Sequence, residues 1–186
     1  MAAAASNQVV AAADLRADLA RGAFNGSWTL VPSESSVRLK AKAMWGIVPV
    51  KGTFSELAGS GTVAADGGVT GRLEVKSASI YTKMKKRDEH LRSDDFFASD
   101  RFSDIVFEID QVTPTTSGLT VKGRLTVRER TIRLAFPAVI TDLGSGKMGI
   151  DTKLHVDRSE LGLTYRGKGA TNMDNALIIH AVFARP

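Results

Sequence analysis

Strict alternation of apolar and polar residues over long segments is the feature that most constrains how this chain can fold. Residues 36–43 read S-V-R-L-K-A-K-A, in which every second residue is apolar and most residues between them are cationic. A period of two predicts a β-strand with one buried face and one solvated face. The same kind of pattern predicts further strands over residues 48–54, 59–65, 69–82, 105–112, 119–127, 132–140, 148–156 and 176–184.

Glycine-rich turns separate these strands and indicate antiparallel hairpins. The words D-G-G at 66–68 and G-S-G at 144–146 are two such turns. The sheet would have about eight strands, several of them longer than the usual ~5–6 residues. A closed barrel of about eight strands has room for its own side chains or for one small ligand, and closure removes exposed edges. We therefore predict an all-β fold, an extended antiparallel β-barrel whose narrow cavity suits a long, thin apolar molecule.

The alternation stops in the middle of the chain, where a helical element is predicted. Ser93 is a suitable N-cap, and the two aspartates that follow it suit the positive end of a helix. The aromatic pair Phe96 and Phe97 would then point at the barrel. We predict a short helical plug near residues 84–99 that closes one mouth of the barrel.

The first 25 residues are rich in alanine and differ from the rest. Val10, Leu15 and Leu19 lie near helical spacing, which favours a helix. We divide the chain into a helical extension over residues 1–25 and a barrel domain over residues 26–186. The extension lacks a basic n-region, so we expect a cytoplasmic protein, with export as the alternative. No run of ~18 apolar residues occurs, so we expect no membrane-spanning helix.

Composition excludes several kinds of chemistry. The chain has 186 residues and no cysteine, which excludes disulfides, thiol nucleophiles and cysteine-ligated metal sites. Its formal net charge is +5 and its pI is about 9.6, and a pI above ~9 is one mark of nucleic-acid binding. The cations, however, alternate with acids along the strands, as on solvated faces. We expect no nucleic-acid partner and keep a basic nucleic-acid-binding barrel as an alternative.

The residue types that support catalysis or metal binding are scattered. His90, His155 and His180 lie far apart, and no G-x-S-x-G or phosphate-binding glycine motif occurs. Asp88 and Glu89 precede His90 directly, and three consecutive residues of a regular element cannot all face one ion. We expect no catalytic residue, no metal site and no cofactor. An enzyme acting on an apolar substrate in the barrel cavity is the alternative.

The inward faces of the strands and the plug supply the candidate binding residues. Small residues at Ala41, Ala43, Gly71 and Gly123 would leave volume for a ligand. Burial of one CH₂ contributes ~0.8 kcal/mol, against ~0–1 kcal/mol for an exposed ion pair, so affinity should reside in the apolar bore. The residues expected to line it are Val37, Leu39, Ala41, Trp45, Phe54, Leu73, Val75, Leu91, Phe96, Phe97, Phe102, Ile105, Phe107, Leu125, Leu134, Phe136, Leu154 and Leu163.

Cations of the plug segment are the candidate rim residues. Those expected to meet a polar or anionic headgroup are Lys83, Lys85, Arg87 and Arg92. Arg92 also lies four residues after Asp88 and three before Asp95, spacings that permit ion pairs. A polar network that holds the plug in place is the favoured interpretation of this segment, and headgroup contact is the alternative.

Five short sequence words occur in a fixed order along the predicted barrel. They are W-T-L-x-P-x-x-S-x-V at 28–37, V-x-G-x-F at 50–54, R-D-E-H-L-R-S-D-D-F-F at 87–97, L-T-V-R at 125–128 and V-D-R-S-x-L-G-L at 156–163. In this order they resemble the YceI-like family, lipocalin-like proteins that bind polyisoprenoid lipids. The resemblance implies an extended lipocalin-like barrel with a polyisoprenoid chain in its bore.

From the pattern and the resemblance together, we predict a non-catalytic protein that binds, stores or transports a polyisoprenoid or isoprenoid-quinone-type lipid. The expected partner is a long-chain isoprenoid lipid, and we expect no cofactor besides this bound lipid. The helical N-terminus could pack on a neighbouring copy as well as on its own barrel, so a homodimer is a possible assembly.

Overall fold

A computed structural model describes residues 8–43, 48–166 and 173–186, and strands dominate them. The regular structure also includes two α-helices, α1 (Ala12–Ala20) and α2 (Lys85–Arg92), and two 3-10 turns at Pro32–Glu34 and Ser77–Ser79. The strand segments are β1 (Gln8–Val9), β2 (Gly26–Leu30), β3 (Ser36–Ala43), β4 (Val48–Phe54), β5 (Leu57–Val63), β6 (Val69–Lys76), β7 (Ile80–Tyr81), β8 (Asp104–Pro114), β9 (Leu119–Val127), β10 (Arg130–Gly144), β11 (Lys147–Asp157) and β12 (Asp174–Ala184).

The segments join into eight long strands that close into a barrel. Short irregular stretches divide three of these strands, so that β2 continues as β3, β4 as β5 and β6 as β7. Around the barrel, β2/β3 is followed by β4/β5, β6/β7, β8, β9, β10, β11 and β12. β12 pairs back with β2 and β3, and the pair Leu177 and Leu39 lies at this closure. The predicted antiparallel, lipocalin-like barrel is confirmed.

Alternation along the strands separates the inside of the barrel from the outside. In β9, Val121, Leu125 and Val127 are buried, whereas Lys122 and Arg124 between them are exposed. Each strand contributes such a row of inward side chains, because successive residues of a strand point to opposite faces. The inward rows form one large hydrophobic cluster inside the barrel.

The break between β6 and β7 lies where the sequence pattern changes phase. The 3-10 turn Ser77–Ser79 interrupts the strand, and its two serine hydroxyls are buried and bonded. Ser77 Oγ donates to the carbonyl of Phe102 at 2.8 Å, and Ser79 Oγ donates to the carbonyl of Lys76 at 2.7 Å. These bonds satisfy polar groups that the turn takes out of the sheet. The Ser77 bond also joins the strand break to the loop that precedes β8.

Helix α1 covers one end of the barrel. Leu15 is completely buried and packs in a cluster with Leu119 of β9 and Ile140 of β10. At the same end, the indole N–H of Trp28 donates to the carbonyl of Phe24 at 2.8 Å. The predicted N-terminal helix is therefore present, and its apolar side chain closes the barrel. The division into an extension and a barrel domain stays a prediction.

Helix α2 covers the opposite end, but it begins earlier than the sequence signals indicated. The helix spans Lys85–Arg92, and Ser93 lies at its C-terminal end, where its hydroxyl donates to the carbonyl of His90 at 2.7 Å. At the N-terminal end, the buried carboxylate of Asp88 accepts a bond from the backbone N–H of Thr82 at 2.8 Å. The prediction of Ser93 as an N-cap was therefore wrong, although a helical plug is present.

The two aspartates after Ser93 stabilise the loop that follows α2. Asp94 accepts a bond from Arg101 at 2.9 Å, and Asp95 pairs with His90 at 2.8 Å. Arg128 donates to the backbone carbonyl of Asp94 at 3.2 Å. An S-D-D word suits a turn as well as a helix start, because short polar side chains bond nearby backbone in both.

Replacing Leu15 by alanine should test whether α1 closes the barrel. Because Leu15 is fully buried, Leu15→Ala should lower the free energy of unfolding by about 2–5 kcal/mol. Denaturant unfolding followed by circular dichroism measures the change. Val9→Ala, at a side chain that is 66% exposed, is the control and should have little effect. Equal stabilities of the two variants would contradict this role for α1.

Candidate functional site

A cavity of about 370 Å³ lies inside the barrel on the side next to α2. Its volume falls in the range of small-molecule sites, ~300–1,000 Å³. Strand residues form most of its wall, and side chains from α2 and the following loop form its roof. The barrel is therefore hollow in this half.

Most of the predicted apolar site residues reach this cavity. They come from the inward rows of β3, β4, β6, β8 and β9, from the plug and, for one residue, from the segment after β11. The predicted residues that line it are Val37, Leu39, Ala41, Phe54, Leu73, Val75, Leu91, Phe96, Phe97, Ile105, Phe107, Leu125 and Leu163.

The other predicted apolar residues lie elsewhere. Phe136 and Leu154 belong to the hydrophobic cluster inside the barrel and Leu134 packs against it, but none of the three lines the cavity. Phe102 lies outside the barrel cavity, with the guanidinium carbons of Arg101 and Arg128 5.5 and 5.8 Å from its ring centre. Trp45 falls outside the described residues.

Packed side chains form the floor of the cavity. The rings of Phe107 and Phe136 lie 5.4 Å apart between their centres. Below them, towards α1, Leu119 and Ile140 pack with Leu15 in a second buried cluster. Alternation predicts that these residues point inward, but it does not predict which of them meet a partner across the barrel.

Small inward residues accommodate neighbours more than they create space for a ligand. A Cβ at Gly123 would lie 2.6 Å from Cζ of Phe107, and a Cβ at Gly71 would lie 2.9 Å from Cδ1 of Ile109. The expectation that both glycines leave volume for a ligand was therefore wrong. Ala41 does line the cavity, and nothing is described for the side chain of Ala43.

The sequence analysis missed six apolar residues of the lining, three of which lie on β11 and β12. Inward alternation on β11 and β12 could have identified several of them. The further apolar lining residues are Val50, Val127, Val156, Leu161, Leu177 and Ile179.

Polar and cationic side chains gather at the open end of the cavity, where β3 and β11 end and β12 begins. The polar lining residues are Lys42, Arg87, His90, Arg158, Tyr165, Arg166 and Asn175. Among the cavity-lining residues in the described parts of the chain, none is an aspartate or a glutamate. We call Lys42, Arg87, Arg158 and Arg166 the cationic mouth.

Of the four predicted rim residues, Arg87 lines the cavity. Its Nε donates to Oγ1 of Thr82 at 2.8 Å, and its Nη2 donates to the carbonyl of the same residue at 2.7 Å. Lys83 and Lys85 are exposed and lie outside the lining. Arg92 instead holds α2 against the barrel, since it donates to the carbonyls of Ala78 and Ile80 at 2.7 and 2.9 Å.

Arg158 is the buried member of the cationic mouth. Only 7% of the residue is exposed, and its guanidinium donates to the carbonyls of Leu163 and, at 2.6 Å, Tyr165. Burial lowers the pKa of Arg158, the positive charge of Arg166 lowers it further, and Asp157 acts in the opposite direction. Arg158 lies in the V-D-R-S motif at 156–159, which is one of the five motifs shared with the family. This motif is the sequence signal that could have identified Arg158 as a site residue.

Aromatic rings surround the opening beside these cations. The ring of His90 lies 4.7 Å from that of Tyr165 and 5.2 Å from that of Phe96. Phe97 is buried and packs on Phe54 with 5.9 Å between ring centres. Phe97 therefore forms part of the roof, while Phe96 lies at the opening.

The outer faces of the strands carry cations paired with carboxylates. Lys76 bonds to Asp104 at 2.7 Å, which raises the pKa of the lysine and lowers that of the aspartate. Arg72 bonds to Glu108 at 3.1 Å. Such exposed pairs add about 0–1 kcal/mol each. They support the interpretation of these faces as solvated rather than as a nucleic-acid surface.

The remaining histidines lie on the outer surface. His155 pairs with Asp174 at 2.9 Å and His180 with Asp151 at 2.7 Å. Within residues 8–43, 48–166 and 173–186, no three His, Cys, Asp or Glu side chains are placed to hold a metal ion. Within the same ranges, no helix has the length and apolar character needed to cross a membrane.

Comparison with known proteins identifies related sequences and folds. The family model described as the YceI-like domain matches residues 28–183. A UPF0312 protein of Staphylococcus aureus (strain N315) is 30% identical over 149 residues, which cover 75% of this chain and 83% of the relative. A UPF0312 protein of Staphylococcus aureus (strain USA300) is 30% identical over 151 residues, with the same coverage.

Solved structures share the fold at lower sequence identity. BcnA of Burkholderia cenocepacia superposes with a TM-score of 0.74 at 16% identity, covering 82% of this chain and 98% of that chain. A structure from Saccharophagus degradans, described as a polyisoprenoid binding domain, superposes with a TM-score of 0.69 at 13% identity. The match covers 86% of this chain and 98% of that chain. The Campylobacter jejuni YCEI protein superposes with a TM-score of 0.62 at 21% identity, and the match covers 75% of this chain and 88% of that chain.

Replacing Arg92 should loosen the roof of the cavity. Arg92→Gln removes a guanidinium that bonds two backbone carbonyls, and loss of such charge-assisted bonds costs about 1–3 kcal/mol. We expect faster amide hydrogen exchange over residues 85–97, measured by mass spectrometry. Lys85→Gln removes a charge from an exposed position of the same helix and should leave exchange unchanged. Unchanged protection in Arg92→Gln would show that these bonds do not hold the plug.

Proposed function

This chain belongs to the YceI-like family, and we propose that it binds a long-chain isoprenoid lipid inside its barrel. The observation that carries the proposal is the apolar cavity of about 370 Å³, which has a floor at Phe107 and Phe136 and opens beside α2. The description of the Saccharophagus degradans structure as a polyisoprenoid binding domain supports an isoprenoid as the ligand.

The chemistry of the wall suits a branched hydrocarbon. Leucine, valine, isoleucine and phenylalanine make up most of the lining, and apolar burial contributes ~0.8 kcal/mol per CH₂. A five-carbon isoprene unit would thus gain roughly 4 kcal/mol before the cost of ordering the chain. The apolar part of the ligand would supply most of the affinity.

The proposed role is binding, storage or transport without catalysis, for a polyprenyl chain or an isoprenoid quinone. His90 is the imidazole at the cavity, and it is engaged with Asp95 at 2.8 Å and packed between two aromatic rings. Such an arrangement supports a structural role for the ring. A cytoplasmic location and a homodimer stay predictions from the sequence.

Filling the cavity should remove the bound lipid. Ala41 lines the cavity, so the phenyl group of Ala41→Phe would occupy ligand space. Native mass spectrometry of protein purified from its own host, followed by organic extraction, should show one prenyl lipid per wild-type chain and none on the variant. Ala58→Phe places the same group on an exposed position of β5 and should keep the lipid. Wild-type protein that carries and takes up no prenyl lipid would refute the proposal.

The floor formed by Phe107 and Phe136 should limit the length of the prenyl chain that the cavity accepts. For prenyl alcohols of increasing length, affinity should rise with each isoprene unit until the chain reaches Phe107 and Phe136, and then level off. Phe136→Leu should extend the rise by about one unit, because it shortens a side chain of the floor while keeping it apolar. Phe102→Leu, remote from the cavity, is the matched control. Titration calorimetry measures the series, and an unchanged plateau in Phe136→Leu would disprove this floor.

A further inference from the structure

The outer surface of the barrel carries a group of positive charges centred on β3 and β4. Arg38 and Lys40 are successive outward residues of β3, and Lys51 of β4 lies directly opposite Lys40 in the register. Lys153 of β11 lies on the same outer face as Arg38, because Ile178 of β12 pairs with both residues. All four cationic side chains are exposed. We call Arg38, Lys40, Lys51 and Lys153 the basic sheet face.

Carboxylates do not balance this charge. Within residues 8–43, 48–166 and 173–186, no ion pair joins the basic sheet face to an aspartate or a glutamate. On the neighbouring strands, Asp151 of β11 is paired with His180, and Asp174 of β12 is paired with His155. Arg124 of β9, by contrast, lies within 3.6 Å of two carboxylates of β8. Positive charge is therefore left uncompensated on one side of the barrel.

The arrangement of these charges does not stabilise the barrel itself. Lys40 and Lys51 face each other across two neighbouring strands, and like charges in directly opposite positions destabilise a sheet. No hydrogen bond between these side chains and the rest of the described chain offsets the repulsion. An anionic surface outside the protein would offset it.

Exposed apolar side chains border the basic sheet face. Tyr81 of β7 lies opposite Thr53 of β4, which lies opposite Arg38, so Tyr81 shares the outer face of these strands. Tyr81 is 58% exposed, and Met84, three residues further along the chain, is 55% exposed. Tyrosine and apolar side chains beside cations are typical of protein surfaces that lie at a membrane interface.

The kind of cation also favours a lipid surface as the partner. Three of the four residues of the basic sheet face are lysines, which present mobile point charges rather than the rigid fork of arginine. Point charges spread over a sheet suit a fluid layer of anionic lipids, in which no single phosphate has a fixed position. A nucleic acid or an acidic peptide would instead leave Tyr81 and Met84 without an apolar environment.

We propose that the basic sheet face, together with Tyr81 and Met84, docks the barrel on an anionic phospholipid membrane. Lys42, the next outward residue of β3, lines the cavity, so the docked face adjoins the opening of the bore. An apolar ligand would then pass between bilayer and bore over a short distance. The inference concerns an outer surface and goes beyond the proposed function, since docking requires no ligand inside the barrel.

Flotation with vesicles that contain no isoprenoid tests docking separately from ligand binding. Vesicles of phosphatidylcholine alone should leave the protein unbound, and vesicles of phosphatidylcholine and phosphatidylglycerol in equal parts should bind it. Added salt should release the protein, because it screens the charges. Each lysine near an anionic surface strengthens binding about fivefold, so Lys40→Gln/Lys51→Gln should weaken binding to the mixed vesicles roughly tenfold or more.

A matched variant separates the position of the charges from their number. Lys122→Gln/Arg133→Gln also removes two positive charges from exposed residues, on β9 and β10 across the barrel. It should bind the mixed vesicles as the wild type does. All four substituted side chains are exposed, so neither double variant should disturb folding. Equal losses in the two double variants would overturn the assignment to the basic sheet face.

A label at Met84 tests how the barrel is oriented on the membrane. The chain has no cysteine, so Met84→Cys provides a unique attachment point for a polarity-sensitive dye. Its emission should shift to shorter wavelength with the mixed vesicles and stay unchanged with phosphatidylcholine alone. The same dye on Val9→Cys, at a 66% exposed side chain of β1, should not respond. Equal shifts at both positions would overturn the proposed orientation.

The outcomes also distinguish this inference from its rivals and from the proposed function. Tighter binding to duplex DNA than to the mixed vesicles, at equal phosphate concentration, would overturn a membrane as the partner. Absence of binding to the mixed vesicles at low salt would overturn the docking surface and leave lipid binding inside the barrel in place. Docking by a protein that takes up no prenyl lipid would refute the proposed function and support this inference.

Discussion

Closure of the sheet is the constraint on which the rest of this structure depends. Once β12 pairs with β3, every second side chain of each strand points into one enclosed space. Next to α1, Leu119 and Ile140 pack with Leu15, and in the middle of the barrel Phe107 packs against Phe136. Next to α2, the inward side chains do not meet, and a cavity remains. The volumes of a few inward side chains therefore decide where a ligand can bind within a common barrel.

Binding strength and selectivity have different physical origins in this site. Apolar burial scales with contact area and has no direction, so the bore can hold many hydrocarbon chains of suitable width. Interactions between charges depend on their positions, and they are stronger in a partly desolvated opening than in water because the effective dielectric constant is lower. The cationic mouth, with Arg158 held by backbone carbonyls, places positive charge at the opening of the apolar bore.

Local periodicity was enough to predict most strands, because a half-buried strand repeats every two residues. The predicted bounds of β3 and β4, 36–43 and 48–54, agree with the structure. The bounds of α2 were harder to predict. The N-terminal end of this helix is fixed by a hydrogen bond from the backbone N–H of Thr82 to Asp88, six residues away, and no local sequence motif indicates that bond. The prediction that Phe102 lines the cavity failed for a related reason. Phe102 lies between the plug and β8, where no strand periodicity defines its direction.

Sequence alone indicated most of the alternating strands, the family and the apolar character of the interior, because each of these depends on neighbouring residues or on short words. Tertiary structure alone decided which inward residues form a floor and which line a cavity. It also decided that Lys42, Arg87, Arg158 and Arg166 meet at one opening. The physical reason is that periodicity specifies the face on which a side chain lies. What that side chain meets across the barrel depends on residues far away in the chain.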